Sequence, residues 1–195
     1  MATNQNKFNT RKLALLALLT AITIVLQMLG GFIRFGTFQI ALVLVPIVVG
    51  AALCGVWAGG WLGAVFGLVV LFNGDAAAFL QISAIGTIAT VLIKGIAVGL
   101  ASGGVYKLLE RKNKYLAVLA AAAAAPIVNT GVFALACYII FLPTIAEWAG
   151  GQEYATKFIF LTIIGLNFVV EFVVNVVLSG VILRIIKIWQ DRKVI

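Results

Sequence analysis

Histidine is absent from all 195 residues, which removes the commonest general base and the commonest transition-metal ligand. Charge is scarce as well: Asp, Glu, Lys and Arg make up 10% of the chain, against roughly 25% in an ordinary soluble domain. Only two cysteines occur, Cys54 and Cys137. Each lies inside apolar sequence, without the spacing of a metal site or a disulfide framework, so both read as small apolar filler. Also missing are a glycine-rich phosphate loop ending in Lys-Ser or Lys-Thr, the GxSxG and HExxH motifs, and a pair of aspartates within an apolar run. The chain is therefore expected to be no enzyme of a familiar kind and to carry no cofactor or metal.

What is abundant is apolar sequence. With 64% hydrophobic residues and a mean hydropathy of +1.18, the composition predicts an all-α integral membrane protein. The net charge of +8 does not point to nucleic acid. Its basic residues flank apolar runs instead of clustering on one water-facing surface.

Runs approaching the roughly 20 residues that a helix needs to cross the hydrocarbon predict six transmembrane helices in a single membrane domain covering 1–195. They lie at about 13–29, 40–53, 57–71, 82–106, 115–141 and 157–186. The first follows Lys7, Arg11 and Lys12, but its length and the lack of a clean small-x-small cleavage site favour a retained span over a signal peptide. Pro126, in "AAAAAAPIVNT", predicts a kink in the fifth. Eleven of the fourteen Lys and Arg lie in the N-terminal segment, the loop Lys107–Lys114 and the C-terminal tail. By the positive-inside rule both termini and that loop face the cytoplasm.

Helices in lipid associate through close backbone approach, which small residues permit. Gly55, Gly59, Gly63 and Gly67 recur every four residues in the third run, and Gly95, Gly99 and Gly103 do so in the fourth. Two glycine-lined packing faces are expected. Ala17 and Ala21, with Ala14 nearby, form a weaker small-residue surface on the first helix.

Against this background Lys94, in "IATVLIKGIAVGLASGG", needs a reason, because an ammonium far from water is expensive. At 1.5 Å of rise per residue it lies about 18 Å below the outer end of its helix, and Glu171, the only carboxylate inside a predicted span, lies about 20 Å below the end of the sixth. The two are expected to face the bundle interior and approach each other, directly or through water or a ligand. Asn167, Glu171 and Asn175 share one helix face, and Asn129 with Thr130 follows the Pro126 kink. Such a stripe either ties helices together or lines a pocket opening outward. In the second case Lys94, Asn129, Asn167 and Glu171 form the floor. The loops at 34–39 (Arg34, Gln39), 73–81 (Asn73, Gln81) and 143–153 then form a lid.

The basic lead into "LALLALLTAITIVLQ", the block "FQIALVLVPIVVGAALCGVWAGGWLGAVFGLV", the segment "LIKGIAVGLASGGVYKLL" and the basic tail together resemble the substrate-capture S components of energy-coupling factor (ECF) vitamin transporters, over nearly the whole chain. One departure is the turn read as Gly55-Val56-Trp57, where that family usually has proline after the glycine. The resemblance implies capture of a water-soluble vitamin near the outer face. It also implies partnership with a membrane coupling subunit and two ATPase subunits that topple the loaded S component to release its cargo. The small-residue face that docks the coupling subunit falls on Ala17 and Ala21. The stretches "QIALVLVPIVVGA" and "AAAPIVNTGVF" look most like pantothenate-type members. An anionic vitamin would gain from a desolvated cation among amides, which Lys94, Asn129 and Asn167 can supply, with Arg34 as an outer clamp. Glu171 opposes this by competing for Lys94. Two rival readings stay open: an ion-coupled carrier using Glu171, and a ligand-free structural membrane subunit.

Overall fold

A computed structural model describes residues 10–32, 34–35, 38–39 and 42–191; side chains are described for 10–30, 42–189 and 191. Nine α-helices and one π-helical segment make up nearly all of the described chain. They are α1 (Thr10–Phe32), α2 (Leu44–Cys54), α3 (Val56–Phe72), α4 (Ala77–Ile82), α5 (Ala84–Leu109), α6 (Lys114–Ile139), α7 (Leu142–Ala149), α8 (Gln152–Phe158) and α9 (Leu166–Asp191). The π-helical segment, Ile159–Gly165, joins α8 to α9. Between α1 and α2, β1 (Arg34–Phe35) pairs antiparallel with β2 (Phe38–Gln39).

Among the described residues, four helical stretches are long and apolar enough to cross a membrane: Thr10–Gly30, Ala84–Leu109, Lys114–Ile139 and Gln152–Trp189. Helices α2 and α3 are shorter. The expected second span at 40–53 is reduced to the 11 residues of α2, about 16 Å long at 1.5 Å per residue, so α2 alone falls short of the hydrocarbon thickness; residues 40–41 of that span lie outside the described residues. Helix starts follow local chemistry. Ser83 Oγ accepts the backbone N–H of Gly86 and caps α5, and Asn113 Oδ1 accepts those of Tyr115 and Leu116 and caps α6. Helix α6 continues through Pro126, which lies buried inside it, without a break.

Gly55 is a turn residue, not part of a packing face. Its φ of 111° lies in the region that side chains disfavour, and no atom lies within 4 Å of where a Cβ would stand. A Cβ at Gly59 would meet Ala51 Cβ at 2.7 Å, and one at Gly50 would strike Leu62. Those pairs straddle Gly55 almost symmetrically, so α3 folds back on α2. This glycine makes the turn that the sequence's missing proline left unexplained.

The tightest helix pair is α3 with α5. Gly59 faces the Gly99 carbonyl, at 2.6 Å from a built Cβ, and Gly67 faces the Val91 carbonyl, at 2.8 Å. Gly63 and Gly95 face each other's carbonyls still more closely. As one residue number rises by four its partner's falls by four, so the helices run antiparallel in fixed register. Gly103 abuts Val56, with 2.9 Å from its built Cβ to Val56 Cα. No side chain larger than hydrogen fits between such backbones, which is how helices without a hydrophobic drive gain contact area.

The buried Ser and Thr hydroxyls of the helices, Thr87 aside, are satisfied within their own helix. Thr20, Thr23, Thr90 and Ser102 each donate to the carbonyl four residues earlier, as suits a medium without water. The buried interior divides into two clusters. One runs through the bundle and includes Leu19, Ile47, Leu62, Phe66, Val98, Val118 and Ile182. The second, with Cys137, Phe141, Ile145, Ala155 and Ile159, joins the end of α6 to α7, α8 and the π segment. A cavity lies where the two meet.

Candidate functional site

The cavity has a volume of about 490 Å³, within the usual range for small-molecule sites, roughly 300–1,000 Å³. Each wall follows from a helix face. Helix α5 contributes Thr87, Thr90, Val91 and Lys94, which recur at three- and four-residue spacing on one side. Asn129, Thr130 and Phe133 come from α6, one turn beyond Pro126, and Asn167 and Glu171 from α9. Phe66 and Val70 line it from α3, Gln27 from α1, and Asp75, Ala76 and Phe79 from the segment leading into and through α4.

Lys94 does not pair directly with Glu171. Its Nζ lies 5.5 Å from the ring centre of Phe66 and 5.4 Å from that of Phe133, so two aromatic faces hold the ammonium by cation–π attraction. The Glu171 carboxylate instead accepts the Asn129 amide, at 3.2 and 3.3 Å to its two oxygens. Asn175, one turn further along α9, turns back to donate to the Glu171 backbone carbonyl at 2.8 Å. It therefore braces α9 and is absent from the cavity wall. Asn129 Oδ1 and Thr87 Oγ1 are buried and have no hydrogen-bond partner among the described residues.

The remaining expected site residues separate by position. Asn73 is not a wall residue. Its Nδ2 donates to Asp75 Oδ2 at 2.6 Å and its Oδ1 accepts the Asp75 N–H at 3.1 Å, so it shapes the turn that presents Asp75. Gln81 is exposed and does not line the cavity. The side chains of Arg34 and Gln39 lie outside the described residues. The wall also holds residues that were not expected, Gln27 and Asp75 among them. Gln27 of α1 is 5% exposed and donates to Asp75 Oδ2 at 2.8 Å, tying α1 to the turn after α3. A lone amide in "AITIVLQ" is a signal for such a role, since polar groups inside apolar runs find partners.

The expected lid loops at 73–81 and 143–153 are short helices. Phe79 of α4 stacks edge-on against Phe133, Phe141 and Trp148, with centroids 5.3, 5.0 and 5.9 Å away, and so fastens α4 to α6 and α7. Each such pair contributes about 0.5–1.5 kcal/mol beyond burial. Phe79→Ala is therefore expected to loosen this cover and speed ligand dissociation about tenfold or more, measured by stopped-flow release, with little loss of overall fold. In the π segment the wider turn brings Thr162, Ile163 and Ile164 to the cavity wall. Gly165 makes that turn possible, since a built Cβ there would lie 2.5 Å from the Phe160 carbonyl. Among the described residues no cluster of His, Cys, Asp or Glu is arranged to hold a metal ion.

A model of the ECF transporter substrate-specific component family matches residues 11–183. The chain belongs to that family. No curated protein and no solved structure shows significant similarity to it. As an S component it is a multi-pass membrane protein that captures a small substrate for ECF transport, and it works with the membrane and ATPase subunits of the ECF module. S components are substrate-binding subunits and not enzymes. Capture on behalf of that module also separates this chain from a carrier that moves its cargo alone and from a subunit without a ligand.

Proposed function

We propose that this S component captures a water-soluble vitamin, with pantothenate favoured, in the cavity around Lys94. The observation that carries the reading is an ammonium inside an aromatic-walled cavity, held by Phe66 and Phe133 and not neutralised by direct contact with Glu171. Such a cation attracts a carboxylate strongly, because charge-assisted hydrogen bonds strengthen away from water. Phe66, Phe79, Phe133 and Val91 offer apolar surface for the aliphatic middle of the ligand. Asn129, Asn167 and Glu171 offer polar groups around it.

Six spans with both termini in the cytoplasm of a bacterium fit the same reading. Arg11 and Lys12 begin α1, Lys107 to Lys114 joins α5 to α6, and Arg184 and Lys187 lie near the end of α9. The cavity residues gather toward the other helix ends, where the vitamin would arrive from outside. The test is a calorimetric titration of detergent-purified protein with pantothenate, without nucleotide or ion gradient. Saturable one-to-one binding supports the proposal, and its absence with binding of a different vitamin moves the assignment to that vitamin.

Docking of the coupling subunit is assigned to Ala17 and Ala21, both exposed on α1 beside exposed Leu18 and Ile22. A small-residue face lets a partner helix come close and part again. Ala17→Trp is expected to abolish co-purification with the coupling subunit while leaving the vitamin titration unchanged. Loss of both would refute the separation of the two roles.

A further inference from the structure

Thr87 breaks the pattern of the other buried Ser and Thr hydroxyls in the helices. Thr20, Thr23, Thr90 and Ser102 each bond the carbonyl one turn back, whereas Thr87, only 2% exposed, lines the cavity with its Oγ1 unpartnered among the described residues. A buried hydroxyl left without a bond carries an uncompensated desolvation cost, and its own helix offers the usual remedy. Asn129 Oδ1 is buried and unpartnered in the same cavity, although the Nδ2 of that side chain is engaged by Glu171.

We infer that Thr87 is a specificity-determining residue that hydrogen-bonds a hydroxyl or amide of the substrate, at the opposite end of the ligand from the group held by Lys94. The inference rests on the proposed capture of a vitamin in this cavity and adds what the vitamin must look like. Thr87 and Lys94 lie seven residues apart on one face of α5, which is about 10 Å along the helix. The substrate is then bipolar. It has an anionic or strongly accepting group at Lys94, an apolar middle against Phe66, Phe133 and Val91, and a hydrogen-bonding tail about 10 Å away at Thr87. Asn129 Oδ1 accepts a further donor from the ligand. A ligand that is compact, wholly apolar or charged at both ends does not match this arrangement. A pantothenate molecule has the required order, from carboxylate through amide and geminal methyls to a terminal hydroxyl.

The test is a cycle of two ligands against three proteins. Pantothenate and an analogue lacking the terminal hydroxyl are titrated into wild type, Thr87→Val, which keeps the branched shape, and Thr87→Ser, which keeps the hydroxyl. Wild type is expected to bind the analogue about tenfold more weakly than pantothenate, the scale of one hydrogen bond of about 1.4 kcal/mol. Thr87→Val is expected to bind the two ligands alike, at the weaker level, and Thr87→Ser to restore the preference. Equal losses for both ligands in Thr87→Val, or no loss for either, overturns the role of Thr87 while leaving vitamin capture intact. Wild type that binds neither ligand ends the pantothenate reading and this inference together.

Discussion

Replacing Lys94 by methionine is expected to cost about 2–5 kcal/mol of substrate affinity, or thirtyfold and upward, the range for removing one partner of a desolvated charge pair. Methionine keeps the length and settles between the rings of Phe66 and Phe133, which now flank the ammonium. The fold is therefore expected to survive, with an unchanged helical circular dichroism spectrum. Lys94→Arg keeps the charge and is expected to recover part of the affinity. Equal affinity in wild type and Lys94→Met, measured by the same titration, would mean that the carboxylate lies elsewhere.

Gly63→Val is expected to be the most damaging change outside the cavity. A Cβ at position 63 strikes the Gly95 backbone carbonyl, and a carbonyl within a helix cannot rotate away as a side chain can. The pair must separate, at a cost of about 3 kcal/mol, the upper end of the usual overpacking range. Because α3 carries Phe66 and α5 carries Thr87 and Lys94, the cavity opens along with the seam and binding falls too. Gly104→Ala is the control. No atom lies within 4 Å of a built Cβ there, so alanine is expected to be neutral or to stabilise by about 0.5–1 kcal/mol through reduced chain entropy. Thermal unfolding in one detergent, with both variants side by side, reads the difference.

How much of this was legible in the sequence depends on contrast. Lys94, Asn129, Asn167 and Glu171 stand out because each is a polar residue inside an apolar run, and the structure gathers all four around one cavity. The glycine spacing gives the two faces of the α3–α5 seam for the same reason: a four-residue repeat survives any reasonable choice of helix ends. Gly55 matches that repeat by number, yet it makes the turn, because spacing alone says nothing about φ. Thr87 carries no contrast at all. A threonine in a membrane helix ordinarily bonds its own backbone, so only coordinates distinguish it from Thr90 one turn away.

The cover over the cavity was hidden for another reason. Helices α4, α7 and α8 are six to eight residues long, too short for a 3.6-residue period to rise above the glycines and polar residues beside them, and they read as loops. The π segment "IFLTIIG" is apolar except for Thr162 and continuous with α9. Its widened turn depends on tertiary packing and on the space at Gly165, neither of which a hydropathy pattern records. Lys94 and Glu171 were expected to approach one another, directly or through water or a ligand. They line the same cavity with separate partners, two rings for one and an amide for the other, because an apolar wall and an asparagine at the same depth compete for each group.

Native mass spectrometry of the gently purified protein tests substrate capture most directly. One small polar molecule per chain is expected on wild type and not on Lys94→Met, with pantothenate as its expected mass. A bare chain mass in both proteins, with no vitamin bound on titration, would contradict the assignment of this cavity as the place where the substrate is held.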